Sequence, residues 1–221
     1  MTGPWQQELA EELRSRLSPQ AEVAVAGSAW EPATLDGWSD LDLHLRLAVD
    51  VGLAGLVDPA EVWASDVAET VQEQVVRLVL RDGRRLDLQV RGAGRVRVDA
   101  PDEQARARFL AALVAVKTGR GDRLIATHLL LELARTVLVD GMRLRDRDTG
   151  TTVHRTGTAR DDLAEEVART AALPLAEALR ATCVLLDRGW AELAPGRAPD
   201  WSGLDALLDR GRGRGRPTGS A

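Results

Sequence analysis

Residues 38–45 read Trp38-Ser39-Asp40-Leu41-Asp42-Leu43-His44-Leu45. Leucines alternate with polar residues here, and a period of two is typical of a β-strand with one buried face. Asp40 and Asp42 then lie side by side on the polar face, and a slip of one residue would bury both. The stretch therefore predicts a strand of well-defined register that presents two adjacent carboxylates.

A glycine-serine turn precedes this strand. Gly27 and Ser28 follow a short apolar run, and Ser39 stands directly before the acids. Gly27 would let the backbone approach a phosphate, and Ser28 would donate its hydroxyl and amide to it. Two carboxylates held together repel each other, and a divalent cation compensates that repulsion. Turn and acids together predict a site for a magnesium-bound nucleotide.

A third carboxylate follows the next hairpin. Asp82-Gly83, a dipeptide that favours tight hairpin turns, separates two β-rich runs, Gln74 to Leu80 and Arg85 to Val90. Asp87 alternates with leucines in the second run. If that run neighbours the Asp40 strand, three carboxylates converge and could hold Mg²⁺ together with a triphosphate. The alternative is that these acids merely occupy the solvated face of a sheet.

The chain divides by its hydrophobic period into an α+β part, residues 1–100, and a helical part, residues 101–209. The first part is expected to contain the strands above and further elements: a helix over Trp5 to Leu17, strands over Glu22 to Ala26 and Leu41 to Val49, and a helix over Pro59 to Val71. In the second part we expect helices over Gln104 to Thr118, Arg123 to Asp140, Asp161 to Leu173 and Leu175 to Leu193.

Glycines and prolines set the expected ends of the helical segments. Gly141 is predicted to end the second helix, and residues 143–160 to form a polar loop. Residues 210–221, rich in arginine and glycine, are predicted to be a disordered tail. Its arginines could touch nucleic acid, but a solvated tail is the favoured interpretation.

Composition narrows the function classes. The 221 residues carry a net charge of -5, which argues against general nucleic-acid binding and suits a cationic small substrate. No apolar run approaches the ~20 residues of a membrane span, and the first residues lack a signal-peptide pattern, so we expect a cytoplasmic protein without a membrane partner. The single cysteine, Cys183, lies in an apolar stretch and can form no intramolecular disulfide.

Lys117 is the one lysine among 29 basic residues. A chain that otherwise uses arginine could keep one compact ammonium for a purpose, or by chance. Near a helix end and before a glycine-rich turn, Lys117 could reach the β- and γ-phosphates of a nucleotide. The alternative is a lysine favoured by the helix macrodipole.

The helix that begins at Arg123 is apolar except for a narrow polar stripe. Glu132 on this stripe is a candidate to bind or deprotonate an acceptor hydroxyl, and His128 is a poorer one. The alternative, at least as well supported, is that the stripe is the solvent-exposed edge of the helix. His44 shares the acidic face and would line the nucleotide site. Arg143 to Arg147 and His154-Arg155 could hold phosphate or be solvated.

The motif Gly27-Ser28, Ser39-Asp40-Leu41-Asp42 and Asp87 resembles that of the nucleotidyltransferase superfamily that includes DNA polymerase beta. It is similar above all to the bacterial aminoglycoside and lincosamide nucleotidyltransferases. The segment from Lys117 to Asp122 is similar to members whose helical domain closes over the nucleotide. The resemblance assigns the triphosphate turn to Gly27 and Ser28, and the metal ligands to the three aspartates.

This resemblance implies a mixed sheet with flanking helices followed by a helical bundle. It also implies transfer of a nucleoside monophosphate from ATP or another nucleoside triphosphate to a hydroxylated small molecule, with two Mg²⁺ ions and release of pyrophosphate. The alternatives are a protein-modifying enzyme of the antitoxin kind and a catalytically silent nucleotide-binding relative. RNA polymerisation is weaker for want of a basic face. The general base and the oligomeric state stay open.

Overall fold

The computed structural model describes residues 5–27, 35–153, 156–196 and 200–213. The chain forms two compact units, one comprising Met1–Phe109 with Ser202–Ala221 and the other Leu110–Trp201. We call them the sheet unit and the helical unit. The expected α+β class, with an N-terminal mixed sheet followed by helices, is confirmed. The division differs from the predicted one, because the C-terminal helix belongs with the sheet unit.

The sheet unit contains a five-stranded sheet in the order β1-β2-β6-β5-β4. Strands β2 and β6 pair in parallel, and the other neighbours are antiparallel. A separate parallel pair joins β3 and β7. The elements are α1 (Trp5–Leu17), β1 (Ala21–Ala26), β2 (Leu41–Leu47), β3 (Val51–Gly52), β4 (Val62–Glu69), β5 (Gln74–Leu80), β6 (Arg85–Gly92), β7 (Val96–Arg97) and the start of α2 (Glu103–Gly119).

The core lies on the leucine face of this sheet. Leu41, Leu43, Leu45 and Leu47 of β2 are buried there, and α1 covers them with Leu13 and its neighbours. Burying one leucine is worth about 2 kcal/mol, so slipping β2 by one residue would cost far more than any surface contact could return. The core therefore fixes which residues β2 turns to the opposite, polar face.

The helix predicted over Pro59 to Val71 is wrong. Residues Pro59–Glu61 form a single 3₁₀ turn, capped by the Asp58 side chain, and β4 follows immediately. The cap and the proline are genuine helix-start signals, but they serve this short turn. Strand β4 then pairs with β5 over its whole length, which outweighs the weak helical period.

The helical unit contains the rest of α2, α3 (Arg123–Thr149), α4 (Asp162–Ala171) and α5 (Leu175–Leu193). The predicted helix end at Gly141 is wrong, because α3 continues through it and ends at Gly150, which has a φ of 67°. A Cβ at position 141 would run into the Leu163 side chain. Gly141 therefore permits close packing of α4 and does not stop the helix.

Helix α6 (Ser202–Gly213) closes the sheet unit. Gly203 lies against the Trp63 ring and Gly211 against the Trp38 ring, where a Cβ would clash. Residues 210–213 of the predicted disordered tail are thus helical, and residues 214–221 lie outside the described part. Across the described ranges, no helix is long and apolar enough to cross a bilayer.

Candidate active site

A cross-strand row of charged residues on the polar face of the sheet contains two of the predicted aspartates. Register partners in neighbouring strands point to the same face, so the row can be read directly from the pairing. Asp42 and Asp87 are direct partners on the parallel strands β2 and β6. The complete row runs Ala26, Asp42, Asp87, Arg77, Asp66. The parallel pairing of β2 and β6 thus meets the condition set for Asp87, and it holds two carboxylates next to each other at the centre of the sheet.

Asp42 is the carboxylate whose ionised form is disfavoured by its surroundings. Burial, together with the neighbouring charges of Asp40 and Asp87, raises the pKa of Asp42 to about 6. The side chain lies against Gly27, whose φ is +60° and where any Cβ would clash with the carboxylate. Gly27 therefore brings the backbone at the end of β1 close to Asp42. Its predicted approach to a phosphate stays a prediction.

Asp40 has a different environment. Its Oδ2 accepts a short hydrogen bond from Nη2 of Arg85, whose side chain is only 9% exposed. Asp40 lies one position before β2, and Arg85 is the first residue of β6. Each directly precedes a member of the register pair Leu41 and Leu86, which brings the two side chains together. We did not predict Arg85 from the sequence. Its spacing of two from Asp87, which matches that of Asp40 from Asp42, is the signal that identifies it once the strands are known to be neighbours.

Asp87 is held from the other side. Nε of Arg77 donates to Asp87 Oδ2 at 3.1 Å, while Nη1 of Arg77 donates to Asp66 Oδ2 at 3.1 Å. The second oxygen, Asp87 Oδ1, is buried and has no hydrogen-bond partner among the residues that the structure describes. A buried acceptor without a donor is costly unless a ligand supplies one. Arg77 therefore orients Asp87 and leaves one oxygen for a further group.

The donor set fits a divalent cation at two of the three predicted ligands. Asp42, crowded by negative charge, and Asp87, with an unused oxygen, are hard oxygen donors of the kind that Mg²⁺ prefers. Asp40 is engaged by Arg85. Within the described ranges, no three histidine, cysteine or acidic side chains are placed to hold a metal ion. The pair Asp42 and Asp87 is accordingly the better candidate, and Asp40 would have to leave Arg85 to join it.

Of the two predicted serines, Ser28 lies outside the described residues. Ser39 is buried, and its hydroxyl donates to Asp36 Oδ1 at 2.8 Å and accepts from the Asp36 amide at 3.0 Å. These bonds close the turn that leads into β2. Ser39 thus shapes the approach to Asp40 through the backbone, with its hydroxyl already used.

Lys117 and Glu132 belong to the helical unit. Lys117 Nζ lies 3.6 Å from Oδ2 of Asp122, the residue that caps α3. Glu132 is 52% exposed and lies 3.5 Å from His128 Nε2 one turn earlier. Lys117 lies in the last turn of α2, which agrees with the alternative of a lysine favoured by the helix macrodipole, and the exposure of Glu132 agrees with a solvent edge. Both side chains remain accessible.

The remaining predicted residues lie in different parts of the chain. His44 is exposed on the polar face, two residues along β2 from Asp42. Arg143 and Arg147 are part of α3, where Arg143 pairs with the buried Asp140 and Arg147 donates to the Glu192 carbonyl. His154 and Arg155 lie outside the described residues.

Among known proteins, the chain matches solved structures only. No family model and no curated protein matches the chain. Two RNA terminal uridylyl transferases, Cid1 and a cytoplasmic U-transferase, are 18% and 20% identical, each with a TM-score of 0.28, and each match covers 60% of this chain. The polymerase core of TRAMP, an RNA surveillance complex, is 14% identical with a TM-score of 0.29, covering 87% of this chain and 58% of that one. The chain spans only 39% of the length of the first two.

Proposed function

We propose that this protein is a magnesium-dependent nucleotidyltransferase that moves a nucleoside monophosphate, AMP from ATP, to a hydroxyl of a small molecule. The observation that carries the proposal is the pairing of Asp42 with Asp87 on one polar sheet face, next to the Gly27 turn. A carboxylate pair that the fold leaves crowded and partly unsatisfied is typical of a site that awaits a cation.

The reaction needs little covalent chemistry from the protein. The acceptor oxygen forms a bond to the α-phosphorus, and the bond from that phosphorus to the bridging oxygen breaks. Its electron pair leaves with pyrophosphate, and the hydroxyl proton passes to a base. A bound Mg²⁺ would lower the charge repulsion between nucleotide and acceptor. Asp42 and Asp87 would hold it, with Asp40 as the proposed third ligand.

The other roles follow the motif. Gly27 and Ser28 would accommodate the triphosphate, with Ser39 shaping the turn behind them. Lys117 would neutralise the β- and γ-phosphates, for which it would have to release Asp122. Glu132 is the proposed base for the acceptor hydroxyl, and its exposure leaves it accessible. The acceptor proposed from the resemblance is an aminoglycoside- or lincosamide-like antibiotic, modified in the cytoplasm.

Pyrophosphate release tests this function. The purified chain with Mg²⁺ and each of the four nucleoside triphosphates is offered hydroxylated antibiotics and metabolites. We expect release with ATP that falls by about 10²- to 10³-fold in Asp42→Asn. Release should be unchanged in Asp209→Asn, an equally conservative change of an exposed acid on α6. Absence of release with every acceptor, together with no calorimetric binding of Mg-ATP, would contradict the proposal.

A second candidate is favoured by the Arg85 contact. Since Arg85 already neutralises Asp40, the site could hold nucleotide without transferring it. Mg-ATP binding without pyrophosphate release, unaltered by any acceptor, would support this silent function. Release that depends on Asp42 would exclude it.

A further inference from the structure

The polar face of the sheet continues beyond the carboxylates as a groove. It has a volume of about 420 Å³ and is lined by Glu22, Ala24, His44, Leu45, Arg46, Gln89, Arg91 and Gly92. We call it the sheet groove. Its lining comes from β1, which leads to Gly27, and from β2 and β6, which carry Asp42 and Asp87. It therefore begins where the candidate active site ends.

The register places a second like-charge pair in this groove. Arg46 and Arg91 are direct partners on β2 and β6, four residues beyond the partners Asp42 and Asp87. At 3.3 Å per residue, the backbones of the two pairs are about 13 Å apart. On this face of the two strands, the partners His44 and Gln89 lie between them. The two strands thus carry an acidic pair and a basic pair on one face, a small molecule's length apart.

The basic pair is only partly compensated within the protein. Arg91 donates to Glu73 Oε2 at 3.0 and 3.1 Å. Arg46 is exposed and makes no hydrogen bond or ion pair to any other described residue, although Glu22 is its partner on β1. Like charges that face each other across strands destabilise a sheet, and an anion between them removes the repulsion. One guanidinium is therefore available for a ligand.

We propose that the sheet groove binds a phosphate group of the acceptor, so that the acceptor is a small phosphorylated alcohol. This inference rests on the proposed function, because the bound molecule is an acceptor only if the protein transfers a nucleotide to it. With the triphosphate at the Gly27 end, the hydroxyl would lie at Asp87 and the phosphate at Arg46 and Arg91. A polycationic aminoglycoside would instead meet two arginines at this end, so the phosphorylated alcohol takes the place of the antibiotic acceptor that the resemblance suggested.

Anion binding can be measured without nucleotide or metal. Inorganic phosphate is titrated into the protein, and the Nε–H signals of arginine side chains are followed by NMR. We expect saturable shifts for Arg46 and Arg91, about 10-fold weaker binding in Arg46→Gln, and tighter binding in Glu22→Gln, which removes the opposing charge. Arg169→Gln, a change of an exposed arginine on α4, is the matched control and should bind phosphate as the parent does.

Two further ligands distinguish the sources of phosphate. Ribose 5-phosphate should bind more tightly than ribose and more tightly than a short oligoribonucleotide. Preference for the oligonucleotide would overturn the small-molecule assignment. Shifts confined to Arg77 and Arg85, or equal affinities of Arg46→Gln and the parent, would overturn the groove itself.

The outcome is separable from that of the proposed function. Phosphate binding in the sheet groove without pyrophosphate release from any acceptor would refute nucleotidyl transfer and keep the anion site. Release with kanamycin as acceptor, unchanged in Arg46→Gln, would keep nucleotidyl transfer and refute the phosphate-bearing acceptor.

Discussion

Asp40 and Asp42 stand two positions apart and face the same side of the sheet, but their surroundings differ. Arg85 donates a hydrogen bond to Asp40, whereas Asp42 has the crowded, half-buried position between two other carboxylates. A structural carboxylate is commonly paired with a cation of the protein, whereas a strongly perturbed carboxylate is a candidate to bind a ligand. The comparison therefore marks Asp42 as the carboxylate most available to a cation.

Asp42→Asn should have the largest effect. Loss of a charged group that positions the cation is expected to lower kcat for pyrophosphate release by about 10²- to 10³-fold. The same change removes a carboxylate that is destabilising at neutral pH, so the free energy of unfolding should rise by about 1 kcal/mol, after allowance for its partial exposure. Enzyme assays and urea denaturation measure the two effects.

Asp42→Asn should thus lower kcat and raise the free energy of unfolding. Asp209→Asn on α6 controls for the loss of one negative charge and should leave both quantities unchanged. If Asp42→Asn kept its activity or became less stable, the contrast between the two aspartates would be lost.

Arg85→Met should have the next largest effect. It leaves Asp40 partly buried and without its arginine partner, which is expected to cost about 2–3 kcal/mol of unfolding free energy. Removing both charges in Asp40→Asn/Arg85→Met should restore part of that loss, because the uncompensated charge is gone. Thermal or urea denaturation of the four proteins completes a double-mutant cycle. A coupling energy near zero would show that Arg85 does not stabilise Asp40.

The predictability of the site follows from the same geometry. The alternation with leucines placed Asp40, Asp42 and Asp87 on one face, because a period of two is a local property of each strand. The arginines were not predicted, since Arg85 and Arg77 meet their aspartates only across strands. The sequence-based prediction also assigned one element the wrong type and ended one helix too early. Asp58 and Pro59 begin a helix-like turn that continues as a strand, and Gly141 permits packing. Tertiary contacts decided all of these cases.

Stability against pH should show a third, smaller effect. The pKa of Asp42 rises from its ordinary 3.8 to about 6 in the folded chain, so protonation favours folding. Below about pH 4 the group is protonated in both states. Stability should then fall between about pH 4 and 6 as the unfolded state ionises first, by up to about 1 kcal/mol. Subtracting the profile of Asp42→Asn isolates this contribution.

Magnesium sharpens the pH test. At pH 7 the ionised Asp42 should bind Mg²⁺, so the melting temperature of the parent should rise with Mg²⁺ concentration and that of Asp42→Asn should not. An equal rise in both proteins would place the cation elsewhere. A difference profile that is flat across this pH range would show that Asp42 is not under electrostatic pressure.

Arg77→Met should have the smallest effect and extends the comparison to Asp87. Arg77 bridges Asp87 and Asp66, but all three side chains are about a third exposed, at 40%, 29% and 36%. Exposed pairs contribute about 0.2–1 kcal/mol, so the loss of stability should be well below that of Arg85→Met. Because Arg77 orients the Asp87 carboxylate, the activation free energy that corresponds to kcat should change by more than the free energy of unfolding does. Equal losses of stability in the two arginine variants would mean that burial does not distinguish the Asp40 pair from the Asp87 pair, and that Asp87 is as much a structural carboxylate as Asp40.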